Sequence, residues 1–252
     1  MKMSRSYCAM IVYWWIACSL VAFSMIEARA DILWQPPVTI SSDLDVSTTG
    51  SLVRAWSVHN GSTTINGVTF SLAGGGNPLG DFTITGPGFG GTSTIFNNLS
   101  ASYKLILDSA VYRTNGDTVM TINLNALTVG SVYEFQAFVN DSRDASGFGR
   151  NFGRSNVFDS GVGTSQSQRV FQPLNIGTTN IGQHIKGTFT ATSNTQLVRM
   201  TGISNFGQDV SLINAYQLRE ISAVPEPSSI LLISSVAGLG GMFLRKRRRG
   251  KK

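Results

Sequence analysis

Apolar and polar residues alternate in short runs through most of this chain, and clusters of turn residues separate the runs. From Asp31 to Ser222 the alternation has the two-residue period of half-buried strands, and no helical period competes with it. The predicted strands are Leu52 to Trp56, Thr64 to Leu72, Phe82 to Thr85, Tyr103 to Leu107, Thr118 to Leu124, Val132 to Val139, Val170 to Asn175, Lys186 to Thr192, Leu197 to Thr201 and Ser211 to Ile221. About ten strands suit an all-β antiparallel sandwich of jelly-roll type. In the fifth run Met120, Ile122 and Leu124 share an apolar face, while Thr121 and Asn123 share a wet one. In the longest, Tyr133, Phe135, Ala137 and Val139 face one way, and Glu134 and Gln136 the other.

Two longer apolar stretches break this rhythm, one at each end. Lys2 and Arg5 precede a stretch from Cys8 to Ile26, and Ala28-Arg29-Ala30 then places small residues ahead of Asp31. That order predicts a signal peptide over residues 1–30, cut before Asp31. The stretch exceeds the usual apolar length of about 7 to 15 residues, so an uncleaved anchor stays open as the alternative. At the other end Val224-Pro225-Glu226-Pro227 is followed by seventeen uncharged residues, 228–244, and then by Arg245-Lys246-Arg247-Arg248-Arg249. The prolines interrupt regular structure and present Glu226 on extended chain. Seventeen residues are just enough for a transmembrane helix, and the basic cluster holds its end of the chain in the cytoplasm, leaving the body outside.

This ending resembles the PEP-CTERM sorting signal of exported bacterial proteins. The resemblance covers residues 223–252 and implies recognition by an exosortase, membrane anchoring on the outer side of the inner membrane before processing, and delivery to the cell surface or an exopolysaccharide matrix.

Charge follows the same division. The chain carries a formal +6. The two ends hold +9 and residues 31–227 hold −3, so the body has no general attraction to nucleic acid. Cys8 and Cys18 both lie in the N-terminal segment, which excludes thiol catalysis and thiolate-bound zinc from the body.

Candidate chemistry is sparse. A glycine-rich stretch from Asp141 to Ser165 contains Gly147-Phe148-Gly149-Arg150 and Asn151-Phe152-Gly153-Arg154 in tandem. Phe148 and Phe152 offer faces for sugar rings, and Asp141, Arg143, Arg150 and Arg154 offer charged hydrogen bonds to hydroxyls or acidic sugars. The same stretch also reads as a hairpin whose phenylalanines pack on the body. Glu134 and Gln136 extend the ligand-binding set on the polar face of their strand. Trp34 and Trp56 read equally as sugar platforms or core. Asp141, Asp144 and Asp159 are candidate ligands for structural calcium, and no other cofactor is expected. Gly86 to Gly91 fits G-x-G-x-x-G but leads into Thr92-Ser93-Thr94 rather than a helix, so it reads as a loop. His59 and His184 read as strand-end residues.

Leu127-Thr128-Val129-Gly130-Ser131-Val132-Tyr133, with Gly187 to Ala191 and Ile213 to Leu218, is similar to galactose-binding-like and carbohydrate-binding jelly rolls. The resemblance implies glycan or matrix binding. The expected function is a non-enzymatic structural or glycan-binding module. The alternative is a surface polysaccharide hydrolase using Glu134 and a loop aspartate as its carboxylate pair.

Overall fold

A computed structural model describes residues 29–57, 61–72, 88–90, 99–114, 118–141, 155–161, 167–171, 182–203 and 210–222. These form an all-β sandwich. The larger sheet has eight strands: β1 (Leu33–Trp34), β12 (Gln183–Thr190), β9 (Val132–Val139), β15 (Ala215–Ser222), β3 (Ser51–Ser57), β5 (Val68–Leu72) and β4 (Thr63–Ile65) in that order, with β2 (Val38–Thr39) also on β12. Facing it is a four-stranded sheet of β11 (Gln168–Phe171), β10 (Ser155–Asp159), β13 (Gln196–Ile203) and β8 (Val119–Leu124). A third sheet of β14 (Val210–Ile213), β7 (Ser109–Thr114) and β6 (Gly88–Gly90) lies beside it. Among the described residues every pairing is antiparallel except that of β3 with β5.

The alternation seen in the sequence builds the main core. Tyr133, Phe135, Ala137 and Val139 of β9 meet Met120, Ile122 and Leu124 of β8 and Val198 and Met200 of β13, all buried. Trp34 joins them at 7% exposure, edge-on to Phe135 and tilted against Phe158, and Trp56 packs at the margin. Both tryptophans are therefore packing residues. Gly187 makes room for Trp34, since a Cβ there would come within 2.6 Å of its ring. The Leu127-to-Tyr133 turn closes on itself: Gly130 takes a positive φ of 88°, Ser131 N–H donates to the Thr128 carbonyl, and Thr128 N–H donates to the Tyr133 hydroxyl at 2.8 Å.

Tyr103 to Leu107, expected as a strand, is part of helix α1 (Ala101–Leu107). Ser100 caps it, its hydroxyl accepting from Tyr103 N–H, and Tyr103, Ile106 and Leu107 fall on one helical face. That face covers the outer side of the large sheet, where Phe138 stands edge-on to both Phe70 and Tyr103. The expected strand from Ser211 to Ile221 is divided at Asn214 into β14 and β15, which belong to different sheets. The Asn214 side chain takes the place of ladder bonds there, accepting from Asn140 N–H and donating to the Leu107 and Ser109 carbonyls. Thr64 to Leu72 is the β4–β5 hairpin, turned by Asn66 and Gly67, both with positive φ. Gly88–Gly90, read as loop, pairs with β7, and β7 and β10 were not anticipated.

The expected strand at Phe82 to Thr85, residues 1–28 and residues 223–252 lie outside the described residues. No helix among the described residues is long and apolar enough to cross a membrane.

Candidate functional site

The polar side of β9 looks outward from the large sheet. Register sets Glu134 between Thr188 of β12 and Arg219 of β15, and Gln136 between Lys186 and Gln217. A strap, residues 41–50, crosses this face and is held by side chains rather than by strand pairing. Gln136 donates to the Asp45 carbonyl at 2.7 Å and accepts from Ser47 N–H at 3.0 Å. Gln217 donates to the Ser47 carbonyl and to Gln136 Oε1. Arg219 donates to the Thr48, Thr49 and Gly50 carbonyls. Gln136 is fully buried and its amide is engaged at both ends. The expectation that it contacts a ligand is thereby corrected: its partner is the backbone of the strap.

Glu134 is 9% exposed, and its Oε1 is buried with no hydrogen-bond partner. Thr188 and Lys186 are half-buried, Thr190 is exposed opposite Val132, and Leu33, opposite Thr188 on β1, is 62% exposed. Burial pushes the Arg219 pKa down while Glu134 pulls it up. Burial likewise lowers His184, against the pull of Asp45 and Glu134 and with a further push from Lys186. His184 is buried near the start of β12, with Nδ1 3.3 Å from Gln136 Nε2. This strip sets a carboxyl group beside a hydroxyl, an amine and an apolar side chain. Such a set offers the exposed edge of a carboxyl group to a hydroxyl donor and a C–H seat on Leu33.

Of the other expected residues, Asp141 does not lie beside Glu134. Asp141 follows the far end of β9, seven residues on, about 23 Å along extended chain. That is well beyond the spacing of a glycosidase carboxylate pair, about 5 to 9.5 Å. Arg143, Asp144, Phe148, Arg150, Phe152 and Arg154 lie outside the described residues. Asp159 is engaged by a cationic side chain, Arg199 Nε donating to its two oxygens at 2.8 and 3.0 Å while Gly161 N–H donates to Oδ1. Among the described residues no group of three His, Cys, Asp or Glu is placed to hold a metal ion. Of the cleavage residues, Ala28 lies outside the described residues, Ala30 is buried with its N–H on Gln196 Oε1, and Asp31 is exposed. The sequence reading missed Leu33, Lys186 and Thr188. Thr188 sits in the recognised Gly187-to-Ala191 run, but its place beside Glu134 depends on a register that no local pattern encodes.

Residues 223–249 match the family described as the PEP-CTERM protein-sorting motif. The chain carries an exosortase sorting signal. It begins one residue after Ser222, the last of β15, so the sandwich is the cargo and PEP-CTERM the address. The protein is thus exported, recognised by exosortase and processed at the cell envelope. Comparison with curated proteins finds no match. Among solved structures the chain is similar to the ANXUR1 extracellular domain from Arabidopsis thaliana, with a TM-score of 0.43 and 12% identity over 70% of this chain and 51% of that one. It is similar also to the ANX2 ectodomain from the same plant, with a TM-score of 0.39 and 13% identity over 71% and 56%. The chain spans about half the length of each of these ectodomains.

Proposed function

We propose that this exosortase cargo acts at the cell envelope as a non-catalytic glycan-binding module, with the strip around Glu134 as its contact face. The supporting observation is Glu134 Oε1, a carboxyl oxygen without a hydrogen-bond partner at the edge of the strip that carries Thr188, Lys186 and Leu33. A buried carboxylate oxygen without a donor costs about 1 to 3 kcal/mol or more, and such a group in a folded domain calls for an explanation outside stability. A ligand rich in hydroxyl groups supplies donors at the 9% of Glu134 that remains exposed. The neighbouring Thr188, Lys186 and Leu33 suit the polar edge and apolar face of a sugar.

The test is calorimetric titration of the full-length protein against neutral and acidic polysaccharides, with a reducing-end assay on the same samples. Binding without turnover, weakened at least tenfold in Glu134→Gln, is the expected result. The Glu134→Gln variant should also melt at the same or a higher temperature. Binding that survives the substitution, or absence of binding throughout the panel, overturns the reading. Turnover lost in Glu134→Gln favours the hydrolase instead.

A further inference from the structure

Both ends of the described body leave from the same end of the sandwich. Ala30 is tied to Gln196, the first residue of β13, by its backbone N–H. Ser222, the last residue of β15, is in register with Val132, the first of β9. The loops that join β8 to β9 and β12 to β13 lie at this end as well, held together by Leu127 N–H on the Asn194 carbonyl and Gly130 N–H on the Ala191 carbonyl. Residues 126–131 and 191–195 contain no charged side chain, and Val129, at the tip of the first loop, is 63% exposed.

We infer that this end of the sandwich rests on the lipid surface while the chain is anchored, with the Val129 turn entering the headgroup layer. The inference rests on the reading of residues 228–244 as a membrane span. Six Cα steps separate Ser222 from Ser228, and extended chain covers at most about 3.6 Å per step, or about 20 Å in all. The headgroup layer takes up about 5 to 8 Å of that. A body about this close to the hydrocarbon must turn some surface toward it. Both loops at this end are uncharged, the first carries exposed Val129 at its turn, and the exposed Arg29 and Asp31 beside them cancel in charge. The N-terminal apolar stretch, 8–26, precedes the same end, so an uncleaved chain would be held from the same side.

The body has no native cysteine, which permits a site-specific probe. Full-length protein with Cys8→Ser and Cys18→Ser, carrying either Val129→Cys or Gly61→Cys, is labelled with an environment-sensitive fluorophore. Each is reconstituted into 3:1 phosphatidylcholine–phosphatidylglycerol vesicles containing doxyl-labelled lipid. Gly61 is exposed at the opposite end, just before β4, and a side chain introduced there meets nothing within 4 Å of its Cβ. The expected result is lipid quenching at residue 129 at least threefold stronger than at residue 61, with the ratio reversed for aqueous iodide. Equal quenching at the two positions, with the protein still resistant to carbonate extraction, overturns the apposition alone. Release of the protein by carbonate overturns the membrane-span reading and the apposition with it.

Discussion

Tyr133, Phe135, Ala137 and Val139 bury one side of β9 against the opposing sheet through carbon contacts, while Gln136, joined by Gln217 and Arg219, buries the other against the 41–50 strap through hydrogen bonds. The apolar side tolerates shifts of a few tenths of an ångström, because dispersion and apolar burial are not directional. The polar side does not. Its donors and acceptors meet successive strap carbonyls and amides from Asp45 to Gly50, and a strap displaced by one residue would leave several of them unpaired. The inner face buries carbon along its whole length, while the Gln136 stretch of the outer face, short of the Phe138 cluster, specifies where a non-repetitive segment lies.

Truncating each face should separate these roles. Phe135→Ala has the largest expected effect, about 4 kcal/mol, from lost transfer energy and the cavity left between Trp34 and Tyr216. Urea unfolding of the full-length protein measures it, and the loss should be independent of pH. Gln136→Ala should cost about 3 kcal/mol, since it strands Ser47 N–H, the Asp45 carbonyl and one Gln217 bond. Proteolysis should then cut within 41–50 before the rest of the domain yields. Uniform protection across the strap and sheet in Gln136→Ala would show that the amide is not what fixes the strap.

The smallest effect is a pH slope confined to the outer side. Burial lowers the His184 pKa, so just below its ordinary value of 6.5 the unfolded chain binds more protons than the folded one. Stability is therefore lost as pH falls through that window. Asp108, at the end of α1, is pushed by burial from 3.8 to about 6, with Lys104 pulling it back. Here the folded state binds the extra proton, so stability is gained as pH falls through about 6 toward 3.8. His184→Asn should expose the Asp108 gain, and Asp108→Asn should expose the His184 loss. Identical slopes in both variants would show that neither group carries the pH dependence.

The alternation in β9 was legible because a two-residue period states which side chains point together. It does not state what covers them. Glu134 and Gln136 both read as wet positions, yet a distant strap supplies the polar atoms that satisfy Gln136 and stops short of supplying any to Glu134. Helix α1 was hidden for a related reason. The run from Tyr103 to Leu107 is too short to tell the two periods apart, and the telling signal was Ser100 three residues ahead of Tyr103. Asn214 replaces ladder bonds with its own amide, a role that becomes visible only when Asn140 and Leu107 are brought beside it. The C-terminal sorting signal needed no such partners, which is why the address was readable from sequence and the surroundings of Glu134 only in part.

The last strand of the sandwich to be made is also an interior one: β15 runs between β9 and β3 and ends at Ser222. A chain exported from its N-terminus therefore reaches the outside with β9 and β3 still lacking their shared neighbour, each offering an unpaired row of backbone groups. The gap closes only when residue 222 has emerged, and the sorting segment is the next stretch to arrive. Completion of the fold and arrival of the sorting segment are thus nearly the same moment in the life of the chain. A truncated cargo would present exosortase with nothing to cut and its surroundings with two open sheet edges.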